Sequence, residues 1–198
     1  MGLRQGLAFC LSLCAGAALA TTSARPAMPA QTAWTIDGPA SVAQFWTHPR
    51  LLPRSGGRFR EVQGELRGSA QTGWQVQVRI DTRSLDFKGP GWMERLTRSD
   101  AFLAIDRFPE IRFHSGHFAD SVLQHGGELH GELSLRGQTR PVVFELKPGN
   151  CGPTATECLL QVNGRVNRHN FGMGAYRLTL RDEVDIDLQV RLRPGAPP

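Results

Sequence analysis

The chain lacks the short loops that announce most enzymes. Its 198 residues contain neither a G-x-S-x-G nucleophile elbow nor a phosphate-binding G-x-x-x-x-G-K-[ST] loop. Lysine is scarce: among 23 basic residues only Lys88 and Lys147 are lysines, and the arginines are spread along the chain. A formal net charge of +5 without a basic stripe or tail points to no nucleic-acid partner. The apolar run Leu7–Leu19 has 13 residues, short of the ~20 needed to span a bilayer, so stable membrane insertion is not expected. There is no internal repeat, low-complexity tract or second domain boundary.

What the N-terminus does have is Arg4, that apolar run, and then Ala18-Leu19-Ala20. This is the pattern of a cleavable secretory signal peptide over residues 1–20, and it implies export to the periplasm. Cys10 and Cys14 lie inside the run but follow Phe9 and Leu13, not the small residue a lipidation signal needs. Residues 21–32, rich in Pro, Ala, Ser and Thr, read as a linker, and residues 194–198 as a tail. Two cysteines remain after cleavage, Cys151 and Cys158. An isolated close pair in an oxidising compartment predicts a disulfide. A redox or metal role fits less well, because the spacing is wider than C-x-x-C and no further ligand is near in sequence.

Between linker and tail the dominant period is two. Val76, Val78 and Ile80 alternate with polar residues, as do Leu129, Leu133 and Leu135. In the last strand Val184, Ile186, Leu188, Val190 and Leu192 share one face, with Glu183, Asp185, Asp187, Gln189 and Arg191 on the other. Such alternation gives each strand one dry and one wet face, as in antiparallel sheets. Further strands are expected near 34–37, 41–47, 57–67, 110–118, 141–147, 159–167 and 176–181, with turns at Gly126-Gly127, Arg136-Gly137 and Pro148-Gly149. The class is all-β, a sandwich or closed barrel. From Gly91 to Ile105 the apolar spacing becomes nearly helical and predicts two short helices, with Ser99-Asp100 as a cap, either plugging a barrel end or packing on a sheet face.

Candidate chemistry is thin. His114 and His117 form H-x-x-H, but on a strand that spacing points them to opposite faces. His130 falls on a polar face, and His48, His125 and His169 sit in or beside expected loops; no metal site is expected. The carboxylates Asp182, Glu183, Asp185 and Asp187 mostly share an outward face and read as solvated charges rather than an acid–base pair. An interior remains. Phe59, Leu66, Val78, Ile80, Leu133, Leu135, Phe144 and Val162 point inward and carry no charge. If hollow, such a barrel favours a hydrocarbon chain at ~0.8 kcal/mol per buried CH₂; if filled, these side chains are simply its core.

In chain order, the landmarks resemble the YceI-like family of exported polyisoprenoid-binding proteins. Trp34-Thr35-Ile36-Asp37 is similar to its opening strand, followed by Ser41, Val42 and Phe45. Gly57-Arg58-Phe59 with Val62 and Gly64 resembles its G-x-F…G element, and Ile80-Asp81-x-x-Ser84-Leu85 its ID-x-x-S-[LV] turn. Ser99, Phe102-Leu103 and Phe108-Pro109…Phe113-x-Ser115 follow. Gly131-Glu132-Leu133-Ser134-Leu135-Arg136-Gly137-Gln138-Thr139-Arg140-Pro141-Val142 is the most specific piece. Arg168, Phe171-Gly172-Met173 and Asp182-Glu183-Val184 close the series.

The resemblance implies an extended eight-stranded antiparallel lipocalin-like barrel over residues 33–193, with one or two short helices near its mouth. It also implies non-catalytic binding, transport or storage of an isoprenoid lipid, a polyprenyl chain or quinone, with no cofactor. To the inward residues it adds Phe45, Leu85, Phe113 and Phe171, and Trp92, Leu96, Phe102 and Leu103 at the mouth, as lipid contacts. Two departures stand out. Ala40 replaces a histidine common in relatives, and Trp92-Met93-Glu94-Arg95-Leu96 replaces R-D-x-H-L, implying a more apolar entrance. A filled-core structural or stress-response barrel, and an enzyme acting on a lipid or quinone through Arg168 and His169, remain the alternatives. Monomer and dimer are both open.

Overall fold

Alternation becomes strand geometry most cleanly in one segment, where Cys158, Leu160, Val162 and Val166 are buried and Leu159, Gln161, Asn163 and Arg165 exposed. A computed structural model describes residues 32–149, 151 and 157–195, so the leader expected at 1–20 and nearly all of the linker lie outside the described residues. The strands are β1 (Thr32–Ile36), β2 (Val42–Pro49), β3 (Ser55–Phe59), β4 (Val62–Ser69), β5 (Gly73–Asp81) and β6 (Leu85–Lys88). They continue with β7 (Glu110–Ser115), β8 (Gly127–Leu135), β9 (Gln138–Leu146), β10 (Cys158–Asn167) and β11 (Leu180–Pro194). Two helices, α1 (Gly91–Arg98) and α2 (Asp120–His125), complete the set.

The ring runs β1-β4-β5-β7-β8-β9-β10-β11 and closes because β11 pairs back to β1: an eight-stranded antiparallel barrel. The remaining strands extend it upward. β1 and β2 both lie along β11, with Ile36 opposite Leu192 and Val42 opposite Gln189. In the same way β3 and β4 form one interrupted strand, and so do β5 and β6. The interruptions are held by side chains. Ser41 Oγ donates to the Asp37 carbonyl (2.7 Å) and accepts from the Arg191 amide (3.1 Å). Ser84 Oγ donates to the Asp81 carbonyl (2.6 Å) and accepts from the Arg60 and Glu61 amides (both 3.1 Å). Amides that leave the ladder at the break thus keep partners. The I-D and Ser landmarks of the sequence are this device.

One end is stoppered. On α2, Leu123 is fully buried, and Trp74 Nε1 donates to Asp120 Oδ1 at 2.7 Å. Nearby, Cys151 and Cys158 form a disulfide with Cα atoms 4.6 Å apart. The lower lumen is filled by Phe113 and Phe144, whose ring centroids lie 5.3 Å apart. Two inward positions are glycine to admit them. A Cβ on Gly131 would come within 2.6 Å of the Phe113 ring, and one on Gly164 within 2.1 Å of the Phe144 ring.

Several expectations are corrected. The strand read over 57–67 is two, broken at Arg60-Glu61, because period two continues through a bend that only the Ser84 contacts reveal. Residues 176–179 are turns, Tyr176 having a positive φ of 59°, and β11 starts at Leu180. Only the first of two helices expected in 91–105 exists. Ser99 caps the C-terminus of α1, its amide donating to the Arg95 and Leu96 carbonyls, and turns follow. α1 is the one helix of the mouth, within the one or two expected there, and α2, which no reading of the sequence anticipated, lies at the stoppered end. His48, expected in or beside a loop, is the second-last residue of β2.

Candidate functional site

Above the Phe113–Phe144 layer the lumen is hollow. A cavity of about 590 Å³ opens between the tops of β2, β3, β6, β10 and β11 and the face of α1. The local reasons are visible in sequence. On α1, Trp92, Met93 and Leu96 lie on one helical face and present it to the cavity. Arg98 anchors the helix, donating to the Leu85 carbonyl (2.5 Å) and pairing with Glu94 (2.9 Å). The chain from Ser99 to Phe108 then turns back, bringing Phe102 and Leu103 to the wall.

Of the residues expected to contact lipid, Phe45, Phe59, Trp92, Leu96, Phe102, Leu103 and Leu135 line this cavity. Leu66, Val78, Leu85, Phe113, Leu133, Phe144, Val162 and Phe171 are buried in the packed core, with Ile80 partly buried against it. Parity identified the inward face but not the level along the barrel axis. Wall residues not named in sequence as lipid contacts include Phe87, Met93, Ile111, Val166, Met173, Val184 and Ile186. Alternation marked Val184 and Ile186 as inward; nothing in the sequence placed the 172–179 segment over the mouth.

Apart from the half-exposed Tyr176 hydroxyl at the rim, the polar groups of the wall are bonded to the protein. Thr47 Oγ1 donates to the Ser55 carbonyl (2.9 Å) and Thr97 Oγ1 to the Met93 carbonyl (2.8 Å). Arg168, 1% exposed, spends its guanidinium on the adjacent chain. Nη1 donates to the Met173 (2.6 Å) and Ala175 (2.5 Å) carbonyls, Nε to Arg181 (3.1 Å), and Nη2 to Leu180 (3.4 Å) and to Asp182 Oδ1 (3.4 Å). A guanidinium has five N–H donors, and all five are taken. Burial lowers its pKa, opposed by the Asp182 charge. His169 Nε2 lies 2.6 Å from Asp182 Oδ1, and this hydrogen bond, ahead of the nearby arginines, holds the Asp182 carboxyl below its usual range. The Arg168–His169 pair is therefore committed to shaping the 168–182 segment. Elsewhere, Asp185 bonds His48 (2.7 Å) and Arg165 (2.9 Å) on the outer face. Among the described residues no three His, Cys, Asp or Glu side chains come together to hold a metal, and no helix is long and apolar enough to cross a membrane.

Solved structures share this architecture. Burkholderia cenocepacia BcnA superposes with a TM-score of 0.68 at 17% identity, covering 79% of this chain and 98% of that one. A polyisoprenoid binding domain from Saccharophagus degradans gives 0.64 at 14% identity, covering 82% and 98%. A YceI protein of Campylobacter jejuni gives 0.57 at 17% identity, covering 70% and 84%. At these identities the likeness is one of fold. Among curated proteins none matches the chain in sequence. The model of the YceI-like domain does match, over residues 34–192, which runs from within β1 to within β11 and so takes in the whole barrel. By that match this chain belongs to the YceI-like family.

Proposed function

We propose that this protein binds an isoprenoid lipid non-catalytically, holding its tail in the cavity for transport or storage in the periplasm after export. The carrying observation is the apolar cavity of about 590 Å³, whose Thr47 and Thr97 hydroxyl and Arg168 guanidinium donors are already bonded to the protein. Such a wall offers a ligand burial rather than hydrogen bonds, so a hydrocarbon chain is the guest it suits. At about 30 Å³ per carbon-sized group the space takes on the order of twenty chain carbons, about four isoprene units. The Saccharophagus degradans neighbour, described as a polyisoprenoid binding domain, supports the same class of guest. The test is organic extraction of the purified protein with mass spectrometry, plus uptake of a C20 polyprenol by the stripped protein. Lipid-free preparations that also take up no polyprenol would sink the proposal.

A further inference from the structure

We propose that the rim of the cavity mouth is a docking surface for an anionic lipid bilayer. Seven large apolar side chains stand exposed among the described residues, and five of them ring this opening. Leu51 (91% exposed) and Leu52 form the tip between β2 and β3, Trp92 projects from α1, and Tyr176 and Leu178 (90%) come from the 172–179 segment. These segments are one surface. The Arg50 amide donates to the Thr179 carbonyl at 2.8 Å, and the Tyr176 ring stacks on Phe102 at 5.8 Å. Four of the five, Leu51, Leu52, Trp92 and Tyr176, also border the cavity, so the greasy rim is continuous with the greasy interior.

Charge selects the partner. The rim stretches 49–55, 88–96 and 174–180 hold Arg50, Arg54, Lys88, Arg95 and Arg177 against a single carboxylate, Glu94, which pairs with Arg98. None of those five cations has a carboxylate within 4 Å among the described residues; on the barrel strands Arg58, Arg112, Arg165, Arg191 and Arg193 are paired, while Arg140 and Arg181 are not. Apolar tips flanked by unneutralised cations match the interface of a membrane carrying acidic head groups: the tips enter the acyl boundary and the cations meet phosphate. The apolar points project from two loops and one helix around the opening, not from one helix or sheet face, which suits a deformable bilayer better than a rigid protein. Docked this way the mouth opens onto the acyl layer. That consequence rests on the lipid-carrier reading; the docking itself does not.

The test is co-sedimentation of the protein with isoprenoid-free vesicles, phosphatidylglycerol/phosphatidylethanolamine against phosphatidylcholine alone. Expected is partitioning onto the anionic vesicles roughly tenfold stronger than onto phosphatidylcholine, weakening as salt is raised. Leu178→Glu lowers partitioning roughly tenfold, and Arg177→Glu does so on the anionic vesicles. Neither residue lines the cavity, so both variants keep wild-type uptake of a C20 polyprenol delivered from cyclodextrin. Wild-type protein that ignores anionic vesicles while taking up polyprenol overturns the docking surface and spares the carrier reading. Vesicle binding with the expected variant losses but no polyprenol uptake supports docking and overturns the carrier reading. Variants that partition like the wild type, or a stable self-association or protein complex covering the rim in place of vesicle binding, overturn docking.

Discussion

The division of the barrel into a filled lower half and a hollow upper half is tested by one substitution made twice on one strand. Val162 and Val166 both point inward from β10, where they face Leu188 and Val184 of β11. Both are buried in the core cluster, but only Val166 also borders the cavity. Replacing Val with Phe adds four side-chain carbons. At Val162 they have no room, and overpacking costs about 1–3 kcal/mol. With a domain of this size losing about 2–4 °C per kcal/mol, the melting temperature falls by about 2–12 °C. At Val166 the ring enters the 590 Å³ space, so stability stays within about 1 kcal/mol of the wild type. Polyprenol affinity behaves in the opposite way. Four ligand carbons displaced at ~0.8 kcal/mol each weaken binding by up to about 3 kcal/mol, roughly a hundredfold. Thermal unfolding by circular dichroism and titration with a C20 polyprenol read the two effects. Equal destabilisation at the two positions would show that the upper lumen is not empty. A stable Val166→Phe variant with wild-type affinity would place the lipid elsewhere.

Three further outcomes follow from the geometry. Arg168→Ala strips five hydrogen bonds from the 173–182 segment and should cost about 3 kcal/mol or more, with Arg168→Lys restoring only part because an ammonium cannot fork; trypsin cutting at Arg177 in the native state should rise in step, and an unchanged cutting rate would argue against the tether. Breaking the Cys151–Cys158 disulfide by reduction or Cys151→Ser should remove about 2–3 kcal/mol, seen as a lower melting temperature with reductant and no reductant effect in the variant. The third concerns pH. The His169 hydrogen bond lowers the folded-state pKa of Asp182 below its usual 3.8. A depressed folded value means the linked stability is complete above the unfolded value and lost as pH falls through the folded one. Asp182→Asn should flatten that acid limb of the melting-temperature profile below about pH 4. An acid limb identical in the variant would assign the loss to other carboxylates.

How far the sequence could be read depended on whether a feature was local. Strict alternation in β5, β8, β10 and β11 specified strands, inward faces and an antiparallel sheet, because a residue's face in a strand depends only on parity; closure into a barrel was implied by the family resemblance alone. The Arg136-Gly137 turn was equally legible: both residues take positive φ (52° and 69°), which suits the tight connection between β8 and β9. The short α2 escaped because six residues offer less than two turns of periodicity. Arg168 entered the sequence reading as a family landmark and as a polar group of the enzyme alternative, whereas its role depends on five acceptors spread over residues 173–182 that only folding gathers round one guanidinium.

The cavity itself belongs to tertiary structure. By itself the sequence determined that an apolar, uncharged face lines the barrel interior, since alternation is written residue by residue. Whether that interior is full or hollow depends on which rings meet across it. Phe113 and Phe144 fill the lower lumen because Gly131 and Gly164, each on another strand, leave room for them there. Above them Phe45, Phe59, Val166 and Val184 stay against the wall, and α1 stands back with Trp92 half exposed. Volume is a property of facing surfaces, and which surfaces face each other is decided only when the barrel closes.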